Sequence, residues 1–243
     1  SFALLDAFVD AGGNFIDTAK VYADWLPGER SVSERTIGRW LRVRNLRAQI
    51  LVATKGAHPD LATMHRSRLS SQAIVADLEQ SLRSLQVEAI DLYWLHRDDP
   101  KRPVEEIIDA LQAQMQAGKI RAYGCSNWRT ERVAAAQAYA QRRGWPGFVA
   151  NQMLWSLAAV EQHALPDPTM VAMDASLQAW HRRTVLPVIP YASQANGFFQ
   201  RLADDRLAGL NDAAAHRTRG REKPFQRFAI TKPDGALQRH EIL

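Results

Sequence analysis

Short apolar runs alternate along the chain with longer stretches in which apolar residues return every three or four positions. The short runs are typical of buried β-strands, and the periodic stretches are typical of amphipathic helices. The clearest helical pattern follows Ser70 and Ser71, either of which can cap it. The predicted strands begin near residues 14, 50, 90, 120, 148 and 185, with at least one helix between successive strands.

This strict alternation predicts parallel strands joined by right-handed crossovers. Two architectures fit, an open doubly wound sheet and a (β/α)8 barrel. A doubly wound sheet that binds a dinucleotide normally carries G-x-G-x-x-G after its first strand, and the sequence has no such segment. Polar residues that could react stand instead at the ends of several different strands, which is typical of a barrel. We therefore predict an α/β fold of the (β/α)8 TIM-barrel type.

The composition indicates a globular protein with a basic surface. The 243 residues are 46% hydrophobic and 23% charged, which suits a single large core. The net charge of +5 and the pI of about 9.6 fit either a solvated, arginine-rich surface or attraction to an anionic ligand such as a phosphorylated cofactor. The basic residues are scattered and no groove-reading motif is present, so no nucleic-acid partner is predicted.

Cysteine usage and hydropathy indicate the compartment. Cys125 is the only cysteine, which excludes a disulfide framework within the chain and favours a reducing compartment. No apolar run approaches the roughly 20 residues that span a bilayer, and no signal peptide is visible. We predict a cytoplasmic location without membrane association. The sequence starts at Ser1 and enters a helical pattern at once, so we expect a preceding segment to be missing.

Four polar residues mark the ends of the first three predicted strands. Asp17 ends the first strand, Tyr22 follows in the next loop, Lys55 ends the second strand and His96 ends the third. The carboxyl ends of barrel strands lie at one rim, so the four side chains are predicted to meet there. Taken singly, an Asp–Lys pair can be structural and a histidine after a strand can be a packing residue. The joint pattern on three consecutive strands favours a reactive site.

These four groups suit the reduction of a carbonyl. A phenol ordinarily has a pKa of about 10, and a nearby ammonium lowers that value. Lys55 would supply the ammonium, Asp17 would hold it in place, and His96 would donate a hydrogen bond to the carbonyl oxygen. Such a group needs a hydride donor, for which a nicotinamide cofactor is the natural source.

Five segments follow one another along the chain, namely GGNFIDTAKVY, ILVATK, IDLYWLH, GKIRAYGCSN and VANQM. Through these segments and the helices between them, the sequence resembles the aldo-keto reductase family over roughly residues 1 to 200. The resemblance implies a (β/α)8 barrel that binds NADPH, sometimes NADH, without a separate dinucleotide-binding domain. It implies a catalytic tetrad of Asp17, Tyr22, Lys55 and His96, with Tyr22 as general acid in carbonyl reduction and as base in alcohol oxidation.

The same resemblance implies a cofactor site on the later strands. Ser126, Asn127 and Gln152 would hydrogen-bond the nicotinamide carboxamide. Tyr191 stands where the family stacks an aromatic ring on the nicotinamide.

Tryptophans complete the predicted rim. Trp25 and Trp128 are predicted to line a substrate pocket, and Trp155 fits either the pocket or core packing. No metal ligands are predicted. The remaining tryptophans, assigned to packing, are Trp40, Trp94, Trp145 and Trp180.

The chain also departs from the family. No strand precedes the opening helix, and no strand–helix unit is recognisable after the seventh family strand, so we expect an incomplete barrel of about six parallel strands. We divide the chain into a barrel over 1–200 and an atypical tail over 201–243, of which 225–231 could cover part of a sheet edge. The loop YASQANGFF lacks the family's Ser-Pro pair and basic residue. NADP is predicted, with NAD as the alternative.

Three functions compete at this point. The first is an NAD(P)H-dependent reductase acting on a small-molecule aldehyde or ketone. The second is a truncated or frame-shifted, catalytically impaired barrel that binds a cofactor or a partner. It competes only if the tail over 201–243 does not rebuild the missing part of the barrel. The third is an isomerase or lyase in which Lys55 forms a Schiff base, which leaves Tyr22, Asn127 and Gln152 without a role.

Overall fold

Six parallel strands form the centre of the fold. The computed structural model describes residues 2–158, 160, 162–165, 167–203, 230–231 and 237–238. Strands that follow one another in the chain are also neighbours in the sheet, which curls into a half-barrel. The strands are β1 (Phe15–Asp17), β2 (Leu51–Gly56), β3 (Leu92–Leu95), β4 (Tyr123–Ser126), β5 (Asn151–Leu154) and β6 (Val188–Tyr191).

Helices connect the strands, so the predicted strand–helix alternation is confirmed. None of the helices among the described residues has the length and apolarity of a membrane span. Single-turn 3-10 helices lie at Gln162–Ala164 and Ala195–Gly197. The α-helices are α1 (Phe2–Asp10), α2 (Val32–Arg44), α3 (Ser71–Leu85), α4 (Val104–Gln116), α5 (Thr130–Arg142), α6 (Ala175–Thr184) and α7 (Phe198–Ala203).

The strands begin slightly later than their apolar runs predict. For β3 and β4 the cause is visible, because Ile90 and Ile120 pair with each other only as an isolated bridge before the continuous ladder starts. The ladder proper pairs Trp94 with Gly124 and Leu95 with Cys125. The apolar run therefore marks burial of the segment, and the hydrogen-bonded strand occupies only its second part.

The edges of the sheet are β1 and β6. Within the described part of the chain, no further strand pairs with either of them. The expectation of about six parallel strands in an open arc is confirmed for these residues.

Contacts divide the chain into two units, Ser1–Phe198 and Phe199–Leu243. The first unit contains the six-stranded sheet and helices α1 to α6. In the second unit, β7 (Ile230–Thr231) pairs antiparallel with β8 (Leu237–Gln238). Of the segment predicted to cover a sheet edge, 225–229 lies outside the described residues.

Each strand separates two apolar regions because successive side chains point to opposite faces. On β3, Tyr93 and Leu95 join the large core between sheet and helices. Leu92 and Trp94 join a smaller cluster on the concave face, together with Ala53 of β2 and other small residues. Because side chains two positions apart share a face, Lys55 lies on the same concave face as Ala53, and His96 lies on the same face as Trp94.

A serine side chain caps the start of α3 but not the start of α2. Ser70 caps α3, because its hydroxyl accepts a hydrogen bond from the Ala73 backbone N–H at 3.2 Å. Before α2, Ser31 occupies the cap position with φ of 54° and makes no side-chain capping bond. Ser33, in the first turn of α2, shares a hydrogen bond of 2.7 Å with the Thr18 hydroxyl.

Glu34 is a carboxyl buried between α2 and the sheet. Its Oε1 accepts a hydrogen bond from Thr54 Oγ1 at 2.6 Å, and the residue is 0% exposed. Burial raises the pKa of Glu34 because the charged form loses its hydration, and the Thr54 bond offsets this only partly. The folded protein therefore holds this proton more tightly than the unfolded chain does.

This difference predicts a pH dependence of stability. A group with a raised folded-state pKa contributes stability below its unfolded pKa, and the contribution is lost as pH rises through the folded pKa. Glu34→Gln removes the titration, so its free energy of unfolding should fall less than that of the wild type as pH rises above 4.5, the ordinary pKa of a glutamate. Urea unfolding across this range measures the slopes.

Glu88→Gln is the control, because the Glu88 side chain is exposed to solvent. Its pH slope should match that of the wild type. Equal slopes for Glu34→Gln and the wild type would contradict the assignment.

Candidate active site

Asp17 and Lys55 form the centre of the rim. Parallel pairing sets Asp17 of β1 beside Ala53 of β2, so Lys55 lies one step further toward the rim on the same face. Lys55 Nζ donates to Asp17 Oδ2 at 2.5 Å and to the Thr18 carbonyl at 2.9 Å. The Lys55 side chain is only 1% exposed, so these acceptors replace the water that its charge has lost.

Tyr22 and His96 complete the predicted group of four. A turn after β1 brings the Tyr22 hydroxyl to 3.1 Å from Lys55 Nζ. His96 follows β3, where its backbone N–H bonds the Gly56 carbonyl at 2.9 Å. The rings of Tyr22 and His96 meet edge to face with centroids 5.9 Å apart. The structure thus brings the four residues together at one rim.

His96 is held as a neutral imidazole. Burial lowers its pKa well below the usual range, and the positive charges of Arg97 and Lys55 and the nearby His58 act in the same direction. The His58 ring lies edge to face against His96, with centroids 4.7 Å apart. His96 Nδ1 is buried and has no hydrogen-bond partner among the described residues. A neutral imidazole offers one N–H donor and one acceptor.

Asp17 has two further partners that the sequence analysis did not predict. Trp94 Nε1 donates to Asp17 Oδ1 at 3.0 Å, and Gln152 Nε2 donates to Asp17 Oδ2 at 3.1 Å. The strand period carried a signal for Trp94, which stands two residues before His96 and therefore on the same face. Assigning Trp94 to packing was incomplete, because its indole N–H belongs to the site.

Asn127 connects the ends of several strands. It adopts φ of 61°, a left-handed conformation that asparagine tolerates better than most residues. Its Nδ2 donates to the His96 carbonyl at 3.3 Å and to Ser126 Oγ at 3.1 Å. Its Oδ1 accepts from the Tyr191 hydroxyl at 2.6 Å and from the Val171 N–H at 3.0 Å. The amide is fully used within the protein.

Ser126, Gln152 and Tyr191 lie beside Asn127 at the ends of β4, β5 and β6. The Ser126 hydroxyl donates to the Gln152 backbone carbonyl at 3.0 Å. Burial raises the pKa of Tyr191 to about 12, so its hydroxyl remains a donor to Asn127. Gln152 Oε1 accepts no hydrogen bond within the described part of the chain. A free amide acceptor beside a fixed aromatic ring fits a nicotinamide carboxamide.

The predicted substrate tryptophans occupy different environments. Trp25 is 63% exposed, and its ring lies 6.3 Å from that of Tyr22, at the mouth of the site. Trp128 is 0% exposed, because its ring packs against Phe148 and its Nε1 donates to the Arg97 carbonyl. Because its ring is fully buried, Trp128 is not included among the residues proposed to contact a substrate.

The remaining tryptophans are rim or core residues. Trp155 lines a cavity of about 360 Å³ at the end of β5. Trp40 is fully buried, and Trp145 and Trp180 pack against the core between sheet and helices. The packing assignment of these last three is confirmed.

Comparison with known proteins identifies the family. Residues 1–228 match the model of the aldo/keto reductase family. The aryl-alcohol dehydrogenase (NADP(+)) of Phanerodontia chrysosporium is 32% identical over 192 residues, which are 74% of this chain and 48% of that protein. Norsolorinic acid reductase stcV of Emericella nidulans is 34% identical over 174 residues, 68% of this chain and 43% of that protein. The chain belongs to the aldo/keto reductase family.

A solved structure shares the fold. It is described as a crystal structure of a putative 2,5-diketo-D-gluconic acid reductase B. The TM-score is 0.58 at 23% identity, over 81% of this chain and 58% of that one. The chain spans about half the length of the curated relatives that it matches.

The Asn127 network predicts a large cost for its removal. Asn127→Ala deletes four side-chain hydrogen bonds and leaves alanine at a positive φ. We expect a loss of roughly 3 to 5 kcal/mol in the free energy of unfolding, since each buried bond contributes about 1 kcal/mol and the left-handed conformation adds about 1 kcal/mol. Denaturant unfolding measures it.

Asn45 provides a matched control, because it has φ of 55° but is exposed at the end of α2. Asn45→Ala should cost only the conformational part, about 1 kcal/mol. Equal losses in the two variants would show that the network contributes nothing.

Proposed function

We propose that this chain is an NADP-dependent reductase of an aldehyde or ketone, with NAD as the alternative cofactor. The observation that carries the proposal is the position of Lys55 Nζ, 2.5 Å from the Asp17 carboxylate and 3.1 Å from the Tyr22 hydroxyl. Family membership and relatives named as reductases and dehydrogenases support carbonyl reduction in general.

Tyr22 is assigned the role of general acid. When a phenol gives its proton to a carbonyl oxygen, negative charge develops on the phenolic oxygen. The Lys55 ammonium lies next to that oxygen and stabilises the charge. Asp17 keeps the ammonium in this position. In the reverse direction the same tyrosine oxygen accepts the proton of an alcohol.

His96 is assigned the orientation of the substrate carbonyl. Because its pKa is held well below the usual range, the imidazole is neutral near pH 7 and can donate one N–H without adding a charge. The edge-to-face arrangement with Tyr22 lets both residues reach the same carbonyl oxygen. Two donors at one oxygen fix its position and polarise the carbonyl.

The cofactor is assigned to the neighbouring strand ends. Ser126 and Gln152 would hold the nicotinamide carboxamide and Tyr191 would face the ring. Asn127 positions Ser126 and Tyr191 through its side-chain hydrogen bonds to both. A bound nicotinamide cofactor supplies the hydride that the carbonyl carbon receives. Trp25, exposed beside Tyr22, offers an aromatic surface to the apolar part of a small substrate.

A second candidate is a reductase-like chain that binds the cofactor or a partner without turnover. The open edges at β1 and β6 in the described residues favour it. Under this alternative the four rim residues are retained, but no product forms. A cytoplasmic location and a small-molecule carbonyl partner stay predictions in both cases.

Turnover decides between the two candidates. With NADPH and an aromatic aldehyde, loss of cofactor absorbance should follow saturation kinetics. Tyr22→Phe should lower kcat by a factor of about 100 or more, because it removes the general acid while preserving the ring. Its Kd for NADPH, measured by fluorescence titration, should stay at the wild-type value.

Tyr139→Phe is the control, since the Tyr139 hydroxyl bonds Asp109 on an exposed surface. It should leave kcat unchanged. NADPH binding without turnover would favour the second candidate. Absence of binding to NADPH and NADH would overturn the reductase and the cofactor-binding form of the second candidate. Parallel titrations with the two cofactors should show tighter binding of NADPH.

A further inference from the structure

We infer that Trp94 is a positioning residue of the site: its indole N–H holds the Asp17 carboxylate in the orientation in which Asp17 anchors Lys55. Trp94 Nε1 donates to Asp17 Oδ1 at 3.0 Å. The inference rests on the proposed function, because positioning has a kinetic meaning only if Tyr22 transfers a proton beside the Lys55 ammonium.

The two carboxylate oxygens of Asp17 have different partners. Oδ2 accepts from Lys55 at 2.5 Å and from Gln152 at 3.1 Å. Oδ1 receives Trp94 and no other donor among the described residues. A carboxylate bonded through one oxygen can still rotate about its Cβ–Cγ bond. A donor fixed at the second oxygen prevents this rotation and keeps Oδ2 directed at Lys55.

The indole itself is confined to one position. Trp94 is 0% exposed on the concave face, where its neighbours are the small residues Ala53 and Ala150. Gly124 is its direct partner on β4. A Cβ atom at Gly124 would lie 2.4 Å from Trp94 Cζ3, so the indole occupies space that any other residue at 124 would take. A side chain confined in this way can act as a fixed donor.

Packing alone does not explain this arrangement. A buried indole N–H needs an acceptor, and the other fully buried tryptophans find theirs elsewhere. Trp128 donates to the Arg97 backbone carbonyl, and Trp40 donates to Asp6 of α1 at 2.8 Å. Trp94 donates to the carboxylate that holds the buried ammonium. Its acceptor is therefore part of the proton-transfer group.

Trp94→Phe tests the inference, because phenylalanine keeps an aromatic ring on the concave face and removes only the donor and part of the bulk. Loss of a hydrogen bond to a charged group should lower kcat on the order of tenfold. The Kd for NADPH should stay at the wild-type value. A merely structural role would lower thermal stability without this selective effect on kcat.

Trp40→Phe is the matched control. It removes an indole N–H that also donates to an aspartate, from a side chain that is also 0% exposed. Its thermal stability should fall to a similar extent, and the kcat of the folded fraction should remain that of the wild type. A wild-type kcat in Trp94→Phe would overturn the inference, as would an equal loss in both variants.

A second measurement does not depend on turnover or on the folding of Trp94→Phe. In a proton–nitrogen NMR spectrum of the wild-type chain, the Trp94 indole signal is assigned from contacts with its neighbours. In Asp17→Asn the acceptor loses its charge, so the Trp94 signal should move while the Trp40 signal stays in place. An unmoved Trp94 signal would overturn the inference.

The two measurements separate the possible failures. If the wild type shows no turnover but the Trp94 signal responds to Asp17→Asn, the proposed function fails and the anchoring contact is supported. If the wild type turns over, and either Trp94→Phe keeps the wild-type kcat or the Trp94 signal does not respond to Asp17→Asn, the reductase assignment stands and the role of Trp94 is rejected.

Discussion

The buried ammonium of Lys55 is the interaction on which the rest of the rim depends. Its side chain is 1% exposed. A buried charge without a partner would destabilise the fold by roughly several kcal/mol, because its hydration is lost. An ammonium has three N–H donors. Each has an acceptor here, namely the Asp17 carboxylate, the Thr18 carbonyl and the Tyr22 hydroxyl. The charge can therefore stay buried, provided that β1 and the turn after it remain where they are.

Curvature of the sheet makes this arrangement possible. Neighbouring strands lie about 4.8 Å apart, so in a flat sheet β1 and β5 would be separated by roughly 19 Å. Yet Gln152 of β5 reaches Asp17 of β1 at 3.1 Å across the concave face. The described strands therefore curl far enough to bring residues 135 positions apart in the chain into one hydrogen-bonded group. In a flat sheet the carboxyl ends of the strands would be spread along one edge. In the curled sheet they surround a single opening.

Sequence reasoning succeeded where a local pattern determines the answer. Apolar runs located all six strands, and the rule that barrel strand ends share a rim predicted that Asp17, Lys55 and His96 converge. It failed for tryptophans, because the role of an indole depends on the acceptor that its N–H meets. Trp94 meets Asp17 only because the sheet curls, and Trp128 enters the core only after Asn127 has turned the backbone at positive φ. Neither the curvature of the sheet nor the backbone conformation of Asn127 can be predicted from the local sequence pattern.

The site and the stability of the sheet edge are consequently linked. Strand β1 has only three residues and, among the described residues, pairs through its backbone with β2 alone. Side-chain bonds from Asp17 tie it also to β3 through Trp94 and to β5 through Gln152. These bonds cross the concave face, where no backbone ladder between those strands exists. The carboxylate that holds the buried ammonium therefore also fastens the edge strand on which it is carried, so that the geometry of the site and the stability of the edge depend on the same few atoms.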